Sequence, residues 1–256
     1  MFWLLRITAA VPGIGRAESR QAVRVVLLCP SCDPTITDQF AVDLLPKNDC
    51  VYEIECPSGH RFSANIFYHE FQKLFEVGVD SLADDNYREA LGSFAASYER
   101  FMELFIRIVM KANGTPDNEL AKGWKKISRQ SERQLGAFII LFVIEFGTQP
   151  PLLSNAETEL RNKVIHQGYF PTKEECLKYG RAVLDSVRQT IRLLYESKKH
   201  QVHLIGSINE QGDFSSSGPN YHYYAYPLIG TNRPPSDDTK TLDEMLAYVV
   251  QMRKLR

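Results

Sequence analysis

The sequence predicts an α+β fold. It has a small β-rich N-terminal region, a central antiparallel bundle of long helices, and a C-terminal extension made of a β-hairpin and a helix. Three observations predict it. Cysteine pairs punctuate short runs of β-branched and aromatic residues up to about residue 65. Apolar residues then recur at helical spacing as far as residue 199, and beyond that strand-like patterning returns before a last helical run. The expected units are residues 1–65, 66–199 and 200–256, which a chain of 256 residues accommodates.

Composition narrows the function classes. Hydrophobic residues make up 44% and charged residues 24% of the chain, which excludes global disorder. Thirty Lys and Arg against 31 Asp and Glu give a net charge of −1, so a strongly basic, histone-like nucleic-acid binder is excluded while a local basic site is not. The longest purely apolar run, Ala137 to Ile144, is eight residues. A membrane span needs about 20, so no membrane association is expected. Met1 to Pro12 has an apolar stretch broken by Arg6 and no preceding basic region. It reads as an irregular arm or an over-long gene start, and the expected location is the cytoplasm.

The N-terminal elements come first. Val23 to Leu28, Gln39 to Leu45, Cys50 to Cys56 and Arg61 to Ile66 are rich in strand-forming residues. Between them stand Cys29-Pro30-Ser31-Cys32 and, 23 residues further on, Cys56-Pro57-Ser58-Gly59-His60. Each pair lies in a Pro- or Gly-containing turn directly after a strand-like run. Tetrahedral zinc needs four converging N or S donors, and two such turns supply two each. Cys29, Cys32, Cys56 and His60 are therefore the expected ligands of one structural zinc, forming a zinc ribbon. Zinc contributes on the order of 10 kcal/mol to folding such a unit, and this β region has few apolar residues of its own. A redox CxxC would normally open a helix, whereas β-like sequence follows here. Cys50 is the alternative ligand, though it lacks a paired turn. Cys176 sits in a helical run and reads as a core residue. An odd total of five cysteines suits a reducing compartment.

Five helices are expected in the middle region: Phe67 to Leu82, Tyr87 to Met110, Arg133 to Phe146, Asn155 to His166 and Lys173 to Tyr195. In the second, Leu91, Phe94, Ala95, Tyr98, Phe101, Met102, Phe105 and Val109 form one apolar face. Lys122-Gly123-Trp124-Lys125-Lys126 is a small basic patch that reads as a solvated helix face, with a phosphate backbone as the other use. Short connections between long amphipathic helices give an antiparallel bundle.

Leu160 to Gly168 is the most informative stretch. At about 100° per residue from Leu160, Val164 falls near 40°, Ile165 near 140° and Arg161 near 100°, inside the apolar arc. Asn162 and His166 stand side by side one turn apart. A guanidinium on a packing face needs an acid, carbonyls or a ligand phosphate. Glu99 and Glu103 could supply the acid. On chemistry alone, Arg161 reads as an ion-pair partner and His166 as a cation at a helix C-terminus.

Arg161-Asn162-Lys163-Val164-Ile165-His166 also resembles the R-x4-6-H motif of the HEPN superfamily, with the polar residue after the arginine. The preceding long amphipathic helix, and the glycine break and fresh helix of QGYFPTKEEC, extend the likeness over residues 66–199. The resemblance implies a metal-independent endoribonuclease, of the kind found in toxin–antitoxin, abortive-infection and CRISPR systems. It implies a homodimer that brings two motifs into one cleft, with RNA as substrate and a protein inhibitor or activator as a further partner. His166 would act as general acid or base at the ribose 2′-hydroxyl and the leaving oxygen. Arg161 would stabilise the phosphorane-like transition state, and Asn162 would orient His166 or bind phosphate. One departure is a tyrosine at Tyr169, one residue later than in the HEPN toxins paired with nucleotidyltransferase antitoxins.

In the last unit, Gln201 to Ile208 and the aromatic run Tyr221 to Tyr226 are expected to pair as a hairpin that packs on the bundle. Ser215 to Asn220 and Thr231 to Asp238 read as loops. The expected function is a defence or stress ribonuclease. The alternative is a non-catalytic protein that binds RNA or a protein partner through ribbon and bundle. A zinc hydrolase would need an open metal position and a nearby carboxylate, and the sequence has no such spacing.

Overall fold

The structure is a computed structural model that describes residues 23–32, 39–45, 47, 51–209, 220–224, 228–231, 234, 236 and 238–254. The N-terminal arm, Cys50 and most of the loop before Asn220 lie outside these residues. Among the described residues the chain is mostly helical, with two small sheets.

Strand β1 (Val23–Leu28) pairs antiparallel with β2 (Gln39–Leu44), Val23 opposite Leu44 and Leu28 opposite Gln39. Strand β3 (Val51–Glu55) pairs antiparallel with β4 (Arg61–Phe67), Val51 opposite Asn65 and Glu55 opposite Arg61. Alternation sends Val25, Leu27, Tyr52, Ile54, Phe62, Ala64 and Ile66 inward, where they bury one apolar layer with Phe40 and Leu44. Val77 of the first helix closes that layer.

Eight helices follow among the described residues: α1 (Glu70–Ala83), α2 (Tyr87–Ala112), α3 (Asp117–Ile127), α4 (Ser131–Phe146), α5 (Asn155–Gln167), α6 (Lys173–Glu196), α7 (Lys198–Asn209) and α8 (Leu242–Lys254). The five expected helices are present, with ends shifted by up to three residues. Helix α2 is central and packs on α1, α4, α5, α6 and α7. Its apolar face carries a run of aromatic contacts. Phe94 meets Phe75 at 5.0 Å, Phe101 meets Phe71 at 5.2 Å, and Phe105 meets Phe138 at 4.8 Å between ring centroids. Such pairs add about 0.5–1.5 kcal/mol each beyond their burial.

Two glycines set how close the helices come. A Cβ on Gly78 of α1 would lie 2.6 Å from the Phe94 ring, and one on Gly180 of α6 would lie 2.9 Å from its other side and 2.8 Å from Leu242 of α8. Only hydrogen fits at both positions. Helix α5 uses local signals instead. Ser154 accepts a hydrogen bond from the Glu157 amide, the Glu157 carboxylate accepts one from the Ser154 amide, and Gly168 ends the helix at φ +71°.

The expected C-terminal hairpin does not form. Gln201 to Ile208 belongs to helix α7, because the buried residues there, His200 and Leu204, are one helical turn apart while Val202 is exposed. The aromatic run supplies strand β5 (Asn220–Tyr224), which pairs in parallel with β4, Ser63 opposite Asn220 and Phe67 opposite Tyr224. The extension therefore adds its strand to an N-terminal sheet. Packing decided between two patterns that short apolar runs cannot distinguish. No described helix is long and apolar enough to cross a membrane.

Gly180→Ala is expected to destabilise the protein by about 1–3 kcal/mol through overpacking against Phe94 and Leu242. Gly123→Ala, on an exposed stretch of α3 with open space around it, is expected to be neutral or stabilising by up to about 1 kcal/mol. Denaturant melts of both variants check this.

Candidate functional site

The two turns after β1 and β3 meet. In the first, the Cys32 amide donates to the Cys29 carbonyl at 3.3 Å. In the second, the Gly59 amide donates to the Cys56 carbonyl at 2.8 Å, and the Cys56 amide to the His60 carbonyl at 3.0 Å. Gly59 takes φ +81°, which its missing Cβ allows. These turns bring one donor atom from each of Cys29, Cys32, Cys56 and His60 to within 4.8 Å of one another. His60 Nδ1 lies 3.7, 3.4 and 3.6 Å from the sulfurs of Cys29, Cys32 and Cys56, and Cys32 Sγ lies 3.9 Å from Cys56 Sγ.

Those separations test whether the set fits a metal. Tetrahedral zinc with bonds of about 2.3 Å to sulfur and about 2.0–2.1 Å to nitrogen has S···N edges of about 3.6 Å and S···S edges of about 3.8 Å. These four separations stand close to the edge lengths and all the donors lie within 4.8 Å of one another, so they could hold a metal such as zinc. Burial opposes the Cys56 thiolate, yet hydrogen bonds from the backbone of His60 and Ser58 and from Cys29 and Cys32 bring its pKa down to about 7, while burial and the hydrogen bond with Cys29 push Cys32 up to about 11, so Cys56 is the more readily ionised of the two.

The second set of predicted residues lies on α5. Val164 is fully buried against the bundle and Ile165 reaches the α2 surface at Gly92. This seats Arg161 over α2, where its Nη2 donates to Glu99 Oε1 at 2.6 Å. Arg161 Nη1 donates to Asn162 Oδ1 at 3.0 Å and lies 3.4 Å from His166 Nε2. A guanidinium only donates, so the last contact is a hydrogen bond when the imidazole carries its proton on Nδ1. The arginine and glutamate side chains are 22% and 27% exposed, while Asn162 and His166 face solvent. The other acid considered, Glu103, instead accepts from Arg100 and Arg107.

The sequence did not show how two neighbouring tyrosines are held. Tyr169 donates its hydroxyl to both oxygens of Glu175, at 3.2 and 3.3 Å, while Glu175 also caps α6 through the Thr172 amide at 2.7 Å. The loop after His166 is thus tied to the start of the next helix. Tyr179 is buried among the charges of Arg161, Glu99 and Glu157, and burial raises its hydroxyl pKa. It reads in sequence as one more residue of an amphipathic face. Cys176 is a core residue as expected. It is fully buried, its thiol donates to the Tyr87 carbonyl at 3.0 Å, and burial raises its pKa to about 12.

The site thus combines a fixed donor (Arg161), an amide (Asn162) and a solvent-facing imidazole (His166). An anionic group approaching from solvent would meet all three. In comparisons with known proteins, no family model, no curated protein and no solved structure matches the chain.

Zinc titrated into metal-stripped protein is expected to saturate at about one ion per chain. Cys56→Ser, which removes a thiolate from the set, is expected to weaken that binding at least about 100-fold. A competing chromophoric chelator reads both results.

Proposed function

We infer that the chain is an endoribonuclease whose active groups are Arg161, Asn162 and His166. The observation that carries this reading is the 3.4 Å approach of Arg161 Nη1 to an exposed His166 Nε2. The two groups share one opening to solvent, and an RNA phosphodiester carries both a proton to move and a charge to stabilise.

His166 takes the proton of the ribose 2′-hydroxyl or returns one to the departing 5′-oxygen. The 2′-oxygen attacks phosphorus, the P–O5′ bond breaks, and a 2′,3′-cyclic phosphate is left on one product. Arg161 faces the charge that builds on the phosphorane oxygens. Glu99 takes one N–H of Nη2 and Asn162 one of Nη1, and the second hydrogen of Nη1 turns from His166 Nε2 to the substrate once that ring nitrogen is protonated. Asn162 holds the guanidinium from the solvent side and positions it for the phosphate. The resemblance to HEPN proteins supports this assignment, and with it a homodimer and a defence or stress role. A four-donor zinc site at Cys29, Cys32, Cys56 and His60 is structural in this reading, since four protein ligands close a tetrahedral ion. When bound it supplies folding energy to the β region.

The Glu99–Arg161 pair favours a second reading, an RNA- or protein-binding module in which this pair only docks α5 on α2. The two readings part on variants. His166→Ala and Arg161→Ala are each expected to lower cleavage of labelled RNA at least about 100-fold, while melting temperature and metal content stay near wild type. DNA, which lacks the 2′-hydroxyl, is expected to stay intact, and short exposure to EDTA to leave cleavage unchanged. Gel assays with end-group analysis read these outcomes. RNA that binds to wild type without being cut under any condition assigns the chain to the second reading.

A further inference from the structure

A second feature of α2 faces away from Glu99. Successive helical residues diverge by about 100°, so Arg100 points off the Arg161 site. It begins a stripe with Glu103, Leu104, Arg107, Ile108 and Lys111 that forms one wall of a cavity of about 410 Å³. The start of α1 and residues His203 and Ser207 of α7 form the other walls.

The charges around this cavity are uneven. Glu103 accepts from Arg100 Nη1 at 2.5 Å and from Arg107 Nε and Nη2 at 3.1 and 2.9 Å, leaving further N–H donors on both guanidinium groups. Glu70 accepts from Lys73 at 2.7 Å, and Lys111 pairs with Asp117 at 3.2 Å. Among the lining residues Arg100, Arg107 and Lys111 thus stand against Glu70 and Glu103, and the opening turn of α1 adds the positive end of its helix dipole. His69 adds no charge, because burial, with Lys73 nearby, pushes its pKa down to about 3. Leu104, Ile108 and Phe71 give an apolar floor beneath the polar rim. Volume, apolar floor and convergent cations match a pre-formed small-molecule pocket.

We propose that this cavity binds a phosphate monoester with a flat apolar body, of mononucleotide size. The phosphate sits on Arg100, Arg107 and Lys111, and the body lies over Leu104 and Ile108. Arginine forks fit phosphate geometry better than point charges do. The assignment is independent of the chemistry at His166, since none of its residues belongs to that site.

The test is equilibrium dialysis of the full chain against labelled AMP, with adenosine and inorganic phosphate as competitors. Saturable AMP binding is expected, weakened at least about tenfold in Arg107→Gln and in Lys111→Gln. Adenosine should compete at least about tenfold less well than AMP. Lys111→Gln breaks the pair with Asp117 and leaves the Glu103 pairs in place, so it remains informative should Arg107→Gln disturb Glu103; a melting curve on each variant shows that the bundle is intact. Absence of saturable AMP binding up to about 1 mM, equal competition by adenosine, or binding unchanged in both folded variants would overturn the proposal.

Discussion

Phe94 is gripped from two sides, and the arrangement of the helices depends on that grip. Gly78 of α1 and Gly180 of α6 each bring backbone against its ring where a methyl group would collide. A ring held between two backbones fixes α1, α2 and α6 as one unit, and Leu242 carries α8 into the same contact. Interiors at this density transmit displacement rather than absorb it. The position of α2 then decides where Glu99 stands, and α5 lies against α2 with Val164 buried and Ile165 over Gly92.

The polar contacts play a different part. The Glu99–Arg161 pair is more than a fifth exposed on both sides, so it adds at most about 1 kcal/mol to stability. Its effect is on direction: one end of the guanidinium is held so that the other lies beside His166. The Arg188–Asp238 pair is more deeply buried and is hydrogen-bonded further, with Arg188 donating to the Lys240 carbonyl at 2.6 Å and Asp238 accepting from the Gly230 amide at 3.0 Å. It fastens the chain between β5 and α8 to the outside of α6. Removing one partner there would leave a buried charge uncompensated, a costly outcome.

Much of this was legible in the residues, and the reasons differ by element. Strands β1 to β4 announced themselves by alternation and by the Pro and Gly turns at Cys29 and Cys56. The donor set was legible because a metal demands fixed residue types at short spacings. The end of α5 was legible in Gly168, which acts on its own backbone, while the Ser154–Glu157 capping box that starts it came with the structure. Helix α7 was not, since Val202, Leu204 and Ile205 fit a strand or a helix until neighbours choose between them. Nor was the pairing of β5 with β4, a contact between residues more than 150 positions apart. The choice of Glu99 over Glu103 as partner of Arg161 was open in sequence, because Arg100 and Arg107 claim Glu103 only once α2 is formed.

The parallel pairing of β5 with β4 has a consequence for how the protein is made. On the ribosome, β3 and β4 emerge early, and the strand that covers the far side of β4 emerges after seven helices have followed. Until then β4 presents an open row of amides and carbonyls, the kind of edge that recruits strands from other chains. The nascent protein therefore carries that open edge until β5 has emerged. A truncation that ends in the loop before Asn220 would keep that surface for good, and would also lack α8, whose Leu242 and Met245 belong to the bundle core.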